Sequence, residues 1–211
     1  MHILLVDDHA VVRQGYGALL SMMLPEATIH EAENARQAMT CMAQNDVDVM
    51  ILDINLEQAS GLNLAPRFLS RWPGLKIIFF SMFDEASIVN RAMHTGASGY
   101  ISKRCRPEIM LDAVKTVMAG RTYIEHELAI NLASYAYSEK KDIFDQLTRR
   151  EFDVFMGVAK GQKRTRIAED LNISDKTVSN AITQLKSKLQ VKTSTELVHL
   201  AIDNGFVKVA S

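Results

Sequence analysis

Through the first 120 residues, short apolar runs alternate with longer stretches whose apolar positions recur at helical spacing. The runs at 3–6, 28–30, 49–52, 77–80 and 100–101 predict strands. Between them, 11–23, 35–44, 61–71, 86–94 and 107–118 predict helices, and Pro107 stands at the first position of the last, where its missing N–H is harmless. Five strand–helix repeats require a parallel sheet with helices on both faces, because parallel neighbours are joined only through crossovers of this length.

The alternation stops after Gly120. Residues 124–137 read as a short helical segment, and 138–142 are charged and offer nothing to a core, which marks them as a linker. From Leu147 onward the pattern is helical throughout. Thr148 with Glu151 has the spacing of a capping box, as has Thr193 with Glu196 before the last helix. The expected organisation is therefore a doubly wound, flavodoxin-like (βα)5 domain over 1–120, a linker with a short helix over 121–145, and a small all-α four-helix domain over 146–211.

Composition adds three points. At 211 residues with 47% apolar content, the chain is long enough for two modest domains. No apolar run approaches the roughly 18 residues needed to span a bilayer, and the start lacks a basic segment before its short apolar stretch, so the expected location is the cytoplasm with no membrane partner. Cys41 and Cys105 are too few and too scattered for a disulfide framework or a zinc cluster. The net charge of −1 conceals an asymmetry: 10 Lys+Arg against 13 Asp+Glu in 1–120, 3 against 5 in 121–145, and 11 against 7 in 146–211. A basic last third is compatible with a polyanion partner, although it is equally the signature of a solvated surface.

In an open α/β sheet, ligands collect at the carboxyl ends of the strands. Asp7 and Asp8 follow the first predicted strand, Asp53 ends the third, Ser81 ends the fourth and Lys103 follows the fifth. Singly, each has an ordinary explanation as turn former, helix cap or solvated charge. Together, three carboxylates at one edge repel unless a divalent cation shares them, and oxygen donors with room for water suit Mg2+. One carboxylate can then act as nucleophile toward a phosphoryl group whose oxygens are neutralised by the metal and a lysine. Asp53 is the expected acceptor, with Ser81 and Lys103 on phosphoryl oxygens, Asp8 on the metal directly, Asp7 one water further out, and the Asn55 carbonyl as a third protein ligand.

The segments Val6-Asp7-Asp8-His9, Leu52-Asp53-Ile54-Asn55 with Gly61, Ser81, and Ser102-Lys103 resemble a bacterial response-regulator receiver over the whole first domain. The resemblance implies that Asp53 takes its phosphoryl group from a sensor histidine kinase. It also implies that Ser81 and Tyr100 are switch residues, Ser81 swinging toward the phosphoryl oxygens and Tyr100 following inward. From the sequence alone Tyr100 is expected to be half-exposed core. The receiver is not expected to be an enzyme beyond catalysing its own phosphoryl transfer and dephosphorylation. Aspartate-nucleophile phosphatases compete as an alternative, but they place a second acid where this chain has Asn55. A departure from the receiver pattern is Leu56-Glu57, where an apolar residue and proline are usual.

In the last third, 164–171, 172–174 and 175–189 read as helix, turn and helix, with Ser174 capping the second. Ile167, Ala168, Leu171, Ile173, Val178, Ile182, Leu185 and Leu189 form the inward stripe. Arg164, Lys176, Thr177, Ser179, Asn180, Thr183, Lys186 and Lys188 are the candidate DNA-contacting groups. Leu147-Thr148-Arg149-Arg150-Glu151, Ile167-Ala168, Leu171-Asn172-Ile173-Ser174, Lys176-Thr177-Val178 and Lys188-Leu189-Gln190-Val191 resemble the LuxR-type helix-turn-helix domain. With the receiver, they resemble the NarL/FixJ class of transcription regulators. The resemblance implies double-stranded DNA as partner, a homodimer on paired half-sites with Leu197, Val198 and Ala201 of the last helix as dimer contact, and RNA polymerase as a further partner. Arg164-Thr165-Arg166 and Ser179-Asn180-Ala181 replace the class's usual residues, so the DNA sequence read is expected to differ. The same replacements keep open a second function, in which the last domain is a protein-interaction or antagonist module.

Overall fold

A computed structural model describes residues 1–56, 60–137, 143–144, 146–204 and 206–207. Two compact units divide the chain, Met1–Ser134 and Tyr135–Ser211. Glu57 and the linker candidate 138–142 lie outside the described residues.

In the first unit, six parallel strands form one sheet in the order β2-β1-β3-β4-β5-β6. They are β1 (His2–Val6), β2 (Thr28–Ala32), β3 (Val49–Leu52), β4 (Lys76–Ser81), β5 (Gly99–Ser102) and β6 (Tyr123–Ile124). Crossovers run through α1 (Ala10–Met23), α2 (Ala35–Gln44), α3 (Gly61–Arg71), α4 (Ala86–Met93) and α5 (Pro107–Met118), and α6 (His126–Tyr137) follows β6. Ile3 to Val6 and Val49 to Leu52 are wholly buried, as continuous apolar strands covered on both faces must be. One face packs Ile3, Leu5, Ile51, Ile78, Phe80 and Ile101 against Leu20 of α1 and Met110, Val114 and Val117 of α5. The strand order reverses between β1 and β3, so their flanking connections diverge and leave a crevice at their carboxyl ends. Asp7 and Asp53 occupy its floor.

A sixth strand lies beyond residue 120. Tyr123 and Ile124 pair with Gly99 and Tyr100, extending the sheet into the stretch assigned to the linker. A Cβ on Gly99 would lie 3.1 Å from the Tyr123 carbonyl oxygen, so the small residue permits the close approach. Glu125 then reaches back, its Oε2 accepting the Ser102 N–H at 2.8 Å.

The second unit contains α7 (Arg149–Ala159), α8 (Arg164–Asp170), α9 (Asp175–Lys188) and α10 (Ser194–Asp203). Thr148 and Glu151 form the expected reciprocal capping box. At α10, Thr193 Oγ1 accepts the Glu196 N–H and the Glu196 carboxylate reaches back to accept the N–H of Lys192 at 2.9 Å. Phe206 meets Phe144, Phe152 and Phe155 ring to ring, closing the core beneath α7. Gly157 lets α8 approach α7, since a Cβ there would stand 2.8 Å from Ile167. Between α8 and α9, Asn172 takes a positive φ of 51°, which asparagine tolerates, and Ser174 Oγ accepts the Thr177 N–H at 3.1 Å.

Candidate functional site

The crevice of the first unit brings together the acids that the sequence separates by more than forty positions. Lys103 Nζ lies 2.6 Å from Asp7 Oδ2 and 2.7 Å from Asp53 Oδ2. Asp7, Asp53 and Ser81 are buried. Burial raises the Asp53 carboxyl above the ordinary aspartate range, against the pull of the Lys103 ammonium, and the neighbouring Asp7 charge raises it further. Burial also opposes the charge on Lys103, but Asp53 and Asp7 outweigh it and lift that pKa above its ordinary value. The backbone N–H of Asn55 donates to Asp53 Oδ1 at 3.1 Å, which fixes the second oxygen of that carboxylate. Gly61 makes this turn possible: a Cβ there would stand 2.2 Å from the Asp53 carbonyl oxygen.

Two residues outside the expected set complete the crevice. Arg13 Nη1 donates to the Asp7 carbonyl at 2.7 Å and so ties α1 to the end of β1, a contact for which one arginine on a helix gives no sequence signal. His9 Nδ1 lies 2.7 Å from Asp8 Oδ1 and 3.2 Å from Asp7 Oδ1, and its adjacency to the acidic pair was its visible signal. Asp7, Asp8, His9 and Asp53 each offer a ligand atom within 4.8 Å of the others. Asp7 Oδ2 and Asp8 Oδ1 are buried and accept no hydrogen bond; the short approaches of Lys103 and His9 to them are ion-pair contacts outside hydrogen-bond geometry. Buried carboxylate oxygens gathered this closely are suited to a divalent cation.

Ser81 Oγ accepts the Phe83 N–H at 3.3 Å, and the Tyr100 hydroxyl donates to the Phe83 carbonyl at 2.8 Å. The two residues thus hold the backbone of Phe83, Ser81 at its N–H and Tyr100 at its carbonyl. Tyr100 is fully buried, contrary to the half-exposed position expected, with its ring beside that of Phe79 and its hydroxyl bonded to the segment after β4. Its burial pushes the phenol well above its ordinary pKa, so it stays a hydrogen-bond donor.

In the second unit the expected reading face is largely where the pattern put it. Arg164, Lys176, Thr177, Asn180 and Thr183 are exposed, while Ser179 and Lys186 are half-buried. Val178, Leu185 and Leu189 are buried on the opposite side of α9. Thr183 Oγ1 donates to the Ser179 carbonyl at 3.1 Å and Thr177 Oγ1 lies 2.8 Å from Ser174 Oγ, so both hydroxyls start out engaged locally.

Three expected contacts are corrected. Lys188 Nζ turns into its own domain, donating to Glu151 Oε2 at 2.7 Å and to the Gln146 carbonyl at 3.2 Å, because the end of α9 passes over the start of α7. Leu197 and Ala201 have no exposed surface and belong to the core between α10 and α7, so neither can meet a second copy. Only Val198 of the expected dimer contact retains exposure, and it is partial.

The family profile for the response regulator receiver domain matches residues 3–115, and that for bacterial regulatory proteins of the luxR family matches 145–201. The transcriptional activator protein ExaE of Pseudomonas putida is 40% identical over the full length of both chains. Response regulator UvrY of Escherichia coli K12 is 33% identical, covering 97% of this chain and 95% of UvrY. Among solved structures, the Salmonella typhimurium RcsB response regulator superposes with a TM-score of 0.81 at 22% identity, covering 97% of this chain and 98% of that one, a likeness of fold. The chain belongs to the two-component response regulators, with a receiver followed by a LuxR-type DNA-binding domain. Within them it is a transcription regulator of the NarL/FixJ class. No helix among the described residues is long and apolar enough to cross a membrane.

Proposed function

We propose that Asp53 is the phosphoacceptor, that a sensor histidine kinase supplies the phosphoryl group, and that phosphorylation raises the affinity of a homodimer for paired half-sites on double-stranded DNA. The carrying observation is the Lys103 ammonium held 2.7 Å from Asp53 Oδ2 and 2.6 Å from Asp7 Oδ2 in a buried crevice. Asp7, Asp8, Asp53 and the Asn55 carbonyl would hold Mg2+, which when bound supplies positive charge for the phosphoryl oxygens.

An Asp53 carboxylate oxygen attacks the phosphorus of the kinase phosphohistidine, the P–N bond breaks, and its electron pair leaves on the imidazole, which takes a proton from solvent. Lys103 neutralises one equatorial oxygen as charge spreads over the transferring group. Ser81 Oγ, accepting the Phe83 N–H, keeps its own proton to donate to another oxygen. Since the Tyr100 hydroxyl holds the carbonyl of that same Phe83, a shift of Ser81 is passed to the segment before α4 and to β5. A differential of a few kcal/mol between the two arrangements suffices to invert their populations.

On DNA, the amino-terminal half of α9 enters the major groove with Thr177, Ser179, Asn180 and Thr183 toward the bases, while Arg164, Lys176 and Lys186 position the backbone. RNA polymerase is the further partner of a regulator placed beside a promoter, as activator or as repressor. Asp53→Asn is expected to abolish labelling by acetyl phosphate or by kinase, read as phosphoprotein on a phosphate-affinity gel; undiminished label in that variant would move the acceptor elsewhere.

A further inference from the structure

His9 stands among the carboxylates at the ends of β1 and β3 with no part in the phosphoryl chemistry. Its Nδ1 is 2.7 Å from Asp8 Oδ1 and 3.2 Å from Asp7 Oδ1, and the four donors of Asp7, Asp8, His9 and Asp53 already lie within 4.8 Å of one another. Two of the oxygens concerned are buried, Asp7 Oδ2 with the Lys103 ammonium at 2.6 Å and Asp8 Oδ1 with the His9 imidazole at 2.7 Å. Three carboxylates with one imidazole is a different donor set from three carboxylates with a carbonyl.

We infer that this site also takes a nitrogen-seeking divalent cation of the Zn2+ type, with His9 Nδ1 as fourth ligand beside Asp7, Asp8 and Asp53, and that such an ion holds the regulator in an unphosphorylatable state. The inference rests on the proposed role of these carboxylates as metal ligands. Imidazole suits Zn2+ and its neighbours, whereas Mg2+ prefers oxygen and retains water. A tetrahedron of ligands about 2 Å from an ion has edges of about 3.3 Å, so donors grouped this closely need only small side-chain movements to close on it. Closure has a chemical consequence. Four protein ligands fill a tetrahedral ion, leaving no position for a phosphoryl oxygen, while a six-coordinate ion keeps positions open for one. The same aspartates would therefore support phosphorylation with one ion and block it with the other.

The test titrates the full-length chain with Zn2+ and separately with Mg2+ by calorimetry, in wild type, His9→Ala and His9→Phe. Phenylalanine keeps a ring and removes both nitrogens. The His9 side chain is 62% exposed, so neither variant opens the core, and a thermal melt confirms folding. The ratio of Zn2+ to Mg2+ affinity is expected to fall at least about tenfold in both variants. Co2+, used as a coloured substitute, is expected to change its visible absorption between wild type and His9→Phe. With Mg2+ present, one equivalent of Zn2+ is expected to suppress acetyl-phosphate labelling in wild type, and the variants to need more. An unchanged affinity ratio with both ions bound would overturn the role of His9, as would labelling of wild type undiminished by bound Zn2+. Failure of Zn2+ alone to bind wild type would overturn the inference, and failure of both ions would remove the carboxylate metal site itself and the inference with it.

Discussion

At the carboxyl ends of the receiver strands the charged groups are buried and held against one another, Lys103 between Asp7 and Asp53, whereas α9 carries Lys176, Thr177 and Asn180 on an exposed face. The difference follows from what each surface must do. Phosphoryl transfer needs a fixed nucleophile and a fixed counter-charge in a low-dielectric crevice, so each group is anchored by another and none can change alone. Groove reading uses side chains that adapt to a polyanion, each contributing separately, so single positions can alter while the scaffold stays intact. The crevice brings its whole expected constellation together, whereas the departures expected in the reading helix from the LuxR-type pattern fall at Ser179 and Ala181.

The strongest way to break that contrast is at the acceptor, where Asp53→Asn is expected to remove all label, while no single substitution on the α9 face should abolish DNA binding in a gel-shift titration. Next in size is Leu197→Ala. As a wholly buried core residue rather than a dimer contact, Leu197 should cost about 2–5 kcal/mol when truncated, seen in denaturant unfolding of the second domain at any protein concentration. A strong concentration dependence of the loss would restore it to an interface.

Gly61→Ala follows. Its Cβ would press on the Asp53 carbonyl and on Ile54, so a loss of about 1–3 kcal/mol in receiver unfolding is expected, together with slower labelling as the acceptor turn shifts. Wild-type labelling with wild-type stability would show that the turn yields freely. Glu151 gives a smaller, pH-dependent effect. Burial raises its carboxyl, but the Lys188 ammonium and the Thr148 donors prevail and hold it below the ordinary glutamate range. A depressed carboxylate stabilises the fold above its ordinary pKa, and that contribution fades as pH falls through the folded value. The melting temperature of the second domain should thus fall on acidification below about pH 4.3, and less steeply in Glu151→Gln; identical slopes would sink the assignment. Smallest is Lys176→Ala, expected to lower the salt dependence of DNA binding by about one counterion with little change in stability. An unaltered salt slope would take Lys176 off the phosphate backbone.

Much of this was legible in the chain. Asp7, Asp53, Ser81 and Lys103 could be placed at one edge because every parallel strand of a wound sheet ends on the same side, so position after a strand is position in the crevice. Other features were not legible. β6 is two residues long, too short to show alternation, and exists because Gly99 lets the Tyr123 backbone approach. Arg13 carries no local mark of its contact with the Asp7 carbonyl.

The helices of the second domain show where the boundary falls. The sequence by itself determined the order of the elements, the caps at Thr148 and Ser174, and which residues stand after which strand, because periodicity and capping act within a few residues along the chain. Only the tertiary structure decided which apolar groups of α10 face inward to α7, that Lys188 closes onto Glu151 instead of pointing to DNA, and that Tyr100 is wholly buried. Those outcomes depend on elements distant in sequence competing for the same space and the same charges, and no local pattern records the result of that competition.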